Sequence, residues 1–209
     1  MNIITISDTH NQHHLITDKI NAVKDIDLII HCGDFADNKP EGMKFLDWFS
    51  KLNIKNKILI PGNHENFIEK EESWWISYCE ILEINLLINK SVVINDISFY
   101  GSPYSNSPNF HSYSLSELGL EKKWEQIPVD TQVLITHTPA YNILDTITEK
   151  IKVGSESLGD KIKELPKLQA HLFGHVHQSN GKITIDNIIR INSAIILHLK
   201  ETPHLFTIN

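Results

Sequence analysis

Five short apolar runs, each ending in Asp, Asn or His, constrain this chain more than any other feature. "NIITISDTH" ends in Asp8 and His10, and "IDLIIHCGD" ends in Asp34. "KILIPGNHE" delivers Asn63 and His64, "QVLITHTP" delivers His137, and "AHLFGHVH" delivers His175 and His177. Runs of three to five β-branched or aliphatic residues bounded by Gly and Pro are the mark of buried strands. A sixth run, "DISFYGSP", ends in a turn without a ligand-type residue. Helical patterning is expected between the runs, over about 12–24, 39–52, 67–82, 115–124 and 155–165. In 41–52 the residues Met43, Phe45, Leu46, Trp48, Phe49 and Leu52 follow helical spacing, with Pro40 suited to the first turn.

Strands alternating with helices predict an α/β fold with mostly parallel pairing. Beyond about residue 181 strand patterning continues without helices, which predicts extra antiparallel strands. No repeat, low-complexity tract or Gly/Ser linker divides the chain, so 1–209 is expected to be one domain. Ligands of open α/β sheets bind outside the carboxyl ends of the strands. The polar residues therefore collect where a site is expected.

Composition narrows the function. The formal net charge of −7, with no basic cluster, argues against a protein that grips duplex nucleic acid. No apolar stretch is long enough to span a bilayer, so no membrane partner is expected. The first ten residues lack the charged and small-residue pattern of a signal peptide. Cys32 and Cys79 are too few for a disulfide framework and read as buried thiols. A cytoplasmic setting is the expectation. Oligomeric state leaves no trace in the sequence.

Asp8, His10, Asp34, Asn63, His137, His175 and His177 together offer carboxylate, imidazole and amide oxygen but no thiolate. That mixture suits two divalent ions, manganese first, with iron, zinc or nickel also compatible. Two such ions carry four positive charges, two Asp remove two, and a shared hydroxide removes one. The centre remains near +1, which favours an anionic substrate whose transition state gains charge on oxygen. Phosphoester hydrolysis by a metal-bridging hydroxide fits. His64, held at the rim beside Asn63, is the candidate general acid for the leaving group.

Taken together, Asp8-x-His10, Gly33-Asp34, Gly62-Asn63-His64-Glu65, His137 and Gly174-His175-Val176-His177 resemble the calcineurin-like metallophosphoesterase superfamily. "HCGDF", "YGSPY", "KWEQIP", "NILD" and "HLFGHVH" followed by "INSA" extend the likeness to the small metallophosphoesterase-domain subgroup. The resemblance implies a four-layer αββα sandwich of two mixed β-sheets flanked by helices. It implies one ion on Asp8, His10, Asp34 and His177, and a second on Asp34, Asn63, His137 and His175, with Asp34 shared. It also implies that Asp37 orients His64. The expected activity is phosphodiesterase action on small nucleotide-like, including cyclic, esters. A phosphomonoesterase on the same metals is one alternative, and a non-catalytic protein-binding scaffold is another. Two departures stand out. "GDFADNKP" lacks the Arg of the protein phosphatases, and Thr138-Pro139-Ala140 replaces the Gly-Pro-Pro common in the subgroup after the His that His137 matches.

Other residues have plainer readings. Glu65 suits a supporting or helix-start position, and His31 and His171 suit satisfied interior positions. His13, His14, His111, His198 and His204 are expected at the surface or the substrate rim. Trp74 and Trp75, with Phe67, Ile68 and Ile76, are expected in the core. Tyr104, Phe110, His111 and Tyr113 lie in the stretch 101–114, which reads either as a lid that stacks a base or as a loop with aromatic anchors.

Overall fold

Alternation along the strands produces the layers. In β1 (Asn2–Ile6), Ile3 faces one core while Ile4 and Ile6 face another, because successive side chains of a strand point to opposite faces. The computed structural model describes residues 1–107, 111–148 and 151–208, so Phe110 lies outside the described residues.

After β1 come α1 (Thr17–Ala22), β2 (Leu28–His31), α2 (Lys39–Lys51), β3 (Asn56–Leu59), α3 (Asn66–Glu69) and α4 (Glu72–Ile81). The middle of the chain holds β4 (Asn85–Leu86), β5 (Lys90–Ile94), β6 (Ile97–Ser102), α5 (Glu117–Trp124) and β7 (Val133–Thr136). The remainder holds β8 (Thr146–Thr148), β9 (Ile151–Lys152), α6 (Glu156–Lys163), β10 (Ala170–Phe173), β11 (Gly181–Ile185), β12 (Ile188–Asn192) and β13 (His204–Thr207).

Two large sheets result, ordered β13-β1-β2-β3-β4 and β11-β12-β10-β7-β6-β5. Pairing is parallel among β1 to β4 and among β6, β7, β10 and β12. The antiparallel partners β13, β11 and β5 stand at sheet edges. Ile3, Ile30, Ile58, Phe99, Val133, Ile135, Leu172 and Ile191 form the core between the sheets. A second core joins the outer face of the first sheet to α2 and α4 through Ile4, Ile29, Phe45, Phe49 and Trp75. A third joins Tyr100 and Leu134 to Leu120 and Trp124 of α5 and Leu158 and Ile162 of α6. The four αββα layers follow, and each fully buried Ile or Leu contributes about 1.5–3 kcal/mol.

Helix starts follow local chemistry. Asn38 caps α2 by accepting from Glu41 N at 3.1 Å, ahead of Pro40. Ser116 and Ser155 cap α5 and α6 in the same way. The helix expected over 67–82 is two helices, α3 and α4, with a break at 70–71. That expected over 12–24 is a 3₁₀ turn (His13–Ile16) running into α1.

Two placements differ from the expectation. Trp74 is 42% exposed and stacks on Tyr78 at 5.1 Å, with the Lys39 ammonium 4.2 Å from its ring centre. Its helical neighbour Trp75 occupies the core instead. His13 is buried between Phe45 and Trp48, at 5.4 and 4.8 Å between ring centres.

Candidate metal centre

The exits of β1, β2 and β3 of one sheet and of β7 and β10 of the other converge on one cluster of side chains. Oxygen and nitrogen atoms of Asp8, His10 and His177 lie within 4.8 Å of one another, as do those of Asp34, His137 and His175. A third such group joins His10, Asp34 and His64, so Asp34 belongs to both halves of the cluster. Asn63 enters through its Oδ1, which lies 2.9 Å from His137 Nε2, and Asp34 Oδ2 lies 3.2 Å from the same nitrogen. His177 Nε2 faces Asp8 Oδ1 at 3.1 Å and His10 Nε2 at 3.3 Å. All seven strand-end residues are therefore gathered.

The backbone here is unusual. Asp8, His10, Asp34 and His175 all have positive φ, between 39 and 69°, a region that non-glycine residues rarely occupy and that is concentrated at functional sites. Gly174 admits no side chain, because a Cβ there would stand 2.2 Å from Asp8 Oδ2 and 2.0 Å from Ser7 Oγ. Gly62 is equally constrained, at 2.4 Å from Asp34 Oδ1. Glycine at these two block positions lets one strand exit press against the ligand of another.

Electrostatics favour cations. Asp8 and Asp34 are buried, and neither contacts Lys or Arg among the described residues. Burial works to raise both carboxyls, yet His177 beside Asp8 and His137 beside Asp34 outweigh it and hold both below the usual carboxylate range. Burial opposes ionisation of His137 too, but the Asp34 and Asp8 charges raise it to about 10. Desolvation of the partly buried His175 ring, with the nearby His137 charge, lowers it to about 4. Imidazoles and the backbone N–H groups of His64 and His175 answer these buried carboxylates, and with the Asn63 amide oxygen beside them they form a donor set suited to divalent cations. The residues present thus fit a binuclear metal group.

His64 sits at the edge of this cluster. Its Nδ1 is 2.6 Å from Asp37 Oδ1, and its Nε2 lies 3.9 Å from Asp34 Oδ2. Burial works to lower its pKa, but Asp34 and the Asp37 hydrogen bond outweigh that and raise it.

Two contributors have partners that the sequence does not reveal. The Glu65 carboxylate accepts four backbone N–H bonds, from Asp34 and Gly62 on Oε2 and from Phe35 and Ala36 on Oε1. His111, expected only as a surface or rim residue, places Nδ1 3.2 Å from the Asn63 side-chain nitrogen, with its ring 5.4 Å from that of His64. Its loop is fastened there by Ser112, whose N–H and Oγ both donate to Asn63 O. Tyr113 is a buried anchor reaching Glu72 at 3.3 Å, and Tyr104 packs against it at 5.6 Å.

His31 is satisfied as expected. Gly33 N–H donates to its Nδ1 and its Nε2 lies 3.1 Å from Thr9 Oγ1, while burial lowers its pKa to about 3. His171 is only half satisfied: Nε2 meets Thr136 Oγ1 at 2.8 Å, and the buried Nδ1 has no partner among the described residues.

The chain is similar to known proteins in sequence and in fold. UPF0046 protein K07C11.7 of Caenorhabditis elegans is 32% identical to this chain, covering 93% of it and 69% of the relative. Metallophosphoesterase domain-containing protein 1 of Homo sapiens is 28% identical, covering 92% of this chain and 65% of its own length. The solved structure of TT1561 from Thermus thermophilus shares the fold, with a TM-score of 0.67 at 14% identity over 92% of this chain and 88% of that one. The family model for calcineurin-like phosphoesterases matches residues 1–179, which include every strand-end residue of the cluster, and the chain belongs to that family.

Proposed function

We propose that the protein is a dimetal phosphoesterase that cleaves small, nucleotide-like phosphodiesters. The observation that carries this reading is the position of Asp34, itself buried and common to both halves of a partly buried cluster with no Lys or Arg in contact among the described residues. Asp8, His10, Asp34 and His177 would hold one divalent ion. Asp34, Asn63, His137 and His175 would hold the other. Manganese is the first candidate, with iron, zinc and nickel compatible with the same donors. When bound, the pair supplies Lewis acidity toward the phosphoryl oxygens and acidifies water for attack on phosphorus.

The chain's own residues supply the rest. Asp37 holds His64 by Nδ1, which leaves Nε2 on the side of Asp34. An imidazole with a raised pKa in that position can carry a proton to the departing alkoxide. Glu65 ties the loops after β2 and β3 together, so Asp34 and Asn63 keep their spacing. His111 accepts from the Asn63 amide nitrogen, which directs Asn63 Oδ1 inward toward His137.

Preference for a diester rests on charge. A monoester dianion is commonly met by a guanidinium clamp, and the sequence holds one arginine, Arg190, which faces away from this cluster on the α6 side of β12. A diester carries one negative charge and needs less compensation. The test is a panel of cyclic and linear diesters and monoesters, assayed with manganese, iron, zinc and nickel added to metal-stripped protein. Faster hydrolysis of diesters supports the reading. Faster monoester hydrolysis overturns the substrate preference. No hydrolysis of either class, with partner binding unchanged in Asp34→Asn, supports a scaffold role instead.

A further inference from the structure

Lys and Arg together number 19 in this chain, and a single one is arginine. Arg190 lies in β12 with 6% of its surface exposed. Its neighbour Ile191 points into the core between the sheets, so Arg190 points the other way, toward α6. There it lines a cavity of about 400 Å³ together with Tyr141, Glu156, Asp160 and Asp186. Its Nε is buried without a hydrogen-bond partner, and the Asp186 charge acts on the guanidinium without forming an ion pair with it among the described residues. Leaving a buried guanidinium N–H without a partner is costly, and such donors are retained where something pairs with them.

The walls say what that partner is. The Arg190 guanidinium, lining the cavity, offers a planar fork of N–H donors matched to a carboxylate or phosphate. The outer wall has the opposite sign. Glu156, Asp160 and Asp186 are all exposed there, and Lys163 is engaged with Asp160 at 2.7 Å. A simple anion would meet Arg190 but pass two unpaired carboxylates on the way. A simple cation would meet the carboxylates and leave Arg190 unanswered. The volume falls in the range of small-molecule sites.

We propose that this cavity is a second ligand site, separate from the metal centre, for a small zwitterion of α-amino-acid size. Its oxyanion end lies on Arg190 and its ammonium end on Glu156 and Asp186. The site also abuts the segment that follows His137. Tyr141 N–H donates to Ser155 O and Ser155 N–H donates to Pro139 O, which joins that segment to the start of α6.

The test is thermal unfolding of the full chain with each of the twenty α-amino acids, beside acetate and methylammonium as half-ligands. At least one amino acid should raise the midpoint by about 3–6 °C at tenfold excess over its Kd, with neither half-ligand matching it. The shift should vanish in Arg190→Lys, which keeps the charge but loses the fork, and should persist in Asp34→Asn. Asp186 has positive φ in a tight turn, where Asn is well accommodated. Asp186→Asn therefore retains the fold and should weaken the same shift at least threefold in ligand concentration. No amino-acid shift in the wild type, an equal shift with acetate, or a shift unchanged in Arg190→Lys and Asp186→Asn would overturn the proposal.

Discussion

The backbone N–H of Asp34 donates to Glu65 Oε2 at 3.0 Å, and Gly62 N–H donates to the same oxygen at 2.6 Å. One side chain thus binds the exits of two neighbouring strands. The other carboxylate oxygen takes Phe35 and Ala36, at 2.7 and 3.0 Å. Every lone-pair position of the carboxylate is engaged, so the loop that presents Asp34 has little freedom left.

Glu65→Gln tests that clamp. The amide replaces an acceptor by a donor that faces two backbone N–H groups, so at least about 2 kcal/mol of stability should be lost. Manganese affinity by calorimetry should fall by about 10–100-fold, as for other residues that orient metal ligands. An unchanged affinity in a folded variant would show that Asp34 needs no such support.

His64 is tested by the leaving group. In His64→Ala, a diester with an alkyl leaving group should lose about 10²–10⁴-fold in kcat, while a nitrophenyl ester should lose far less because its leaving group needs no proton. Equal losses on both would remove the acid role. Asp37→Asn should follow the same pattern with smaller losses, since it acts through His64.

His111 is tested by metal binding without turnover. His111→Ala should weaken manganese binding by about 10-fold or more, because the Asn63 amide then loses the acceptor that sets its orientation. Ser112→Ala removes a loop fastening while leaving the His111 contact, and should weaken binding less. The reverse order would assign His111 to loop anchoring alone.

His13 sets part of the acid stability. Burial, with the nearby His14 charge, lowers its pKa to about 4. A folded-state pKa below the unfolded value near 6.5 gives stability that is full above about pH 6.5. That stability drains as pH falls toward about 4, where the folded protein also takes up the proton. At pH 5 the loss is about 2 kcal/mol. The midpoint difference between pH 7.5 and pH 5 should therefore shrink in His13→Leu; an identical difference in both proteins contradicts this.

Much of this arrangement is legible in the residues alone. The apolar runs ending at Asp8, Asp34, Asn63, His137 and His175 mark strands because a buried strand needs no other pattern, and their ends define the site. The rest is set by packing across the fold. Glu65 reads as a supporting or helix-start residue and is both, preceding α3, but its four partners come from two loops that meet only in space. His111 lies in a polar stretch with no periodicity, and its contact depends on how Ser112 docks on Asn63. His13 and Trp74 exchange their expected environments because a 3₁₀ turn and a break between α3 and α4 reset which face each helix presents.

The central claim is that Asp34 joins two metal positions. Metal content of the dialysed, manganese-loaded chain, measured by mass spectrometry beside calorimetric titration, tests it most directly. Two ions per chain are expected in the wild type, with both sites weakened together in Asp34→Asn. One ion per chain, or an Asp34→Asn variant that keeps both at unchanged affinity, would contradict it.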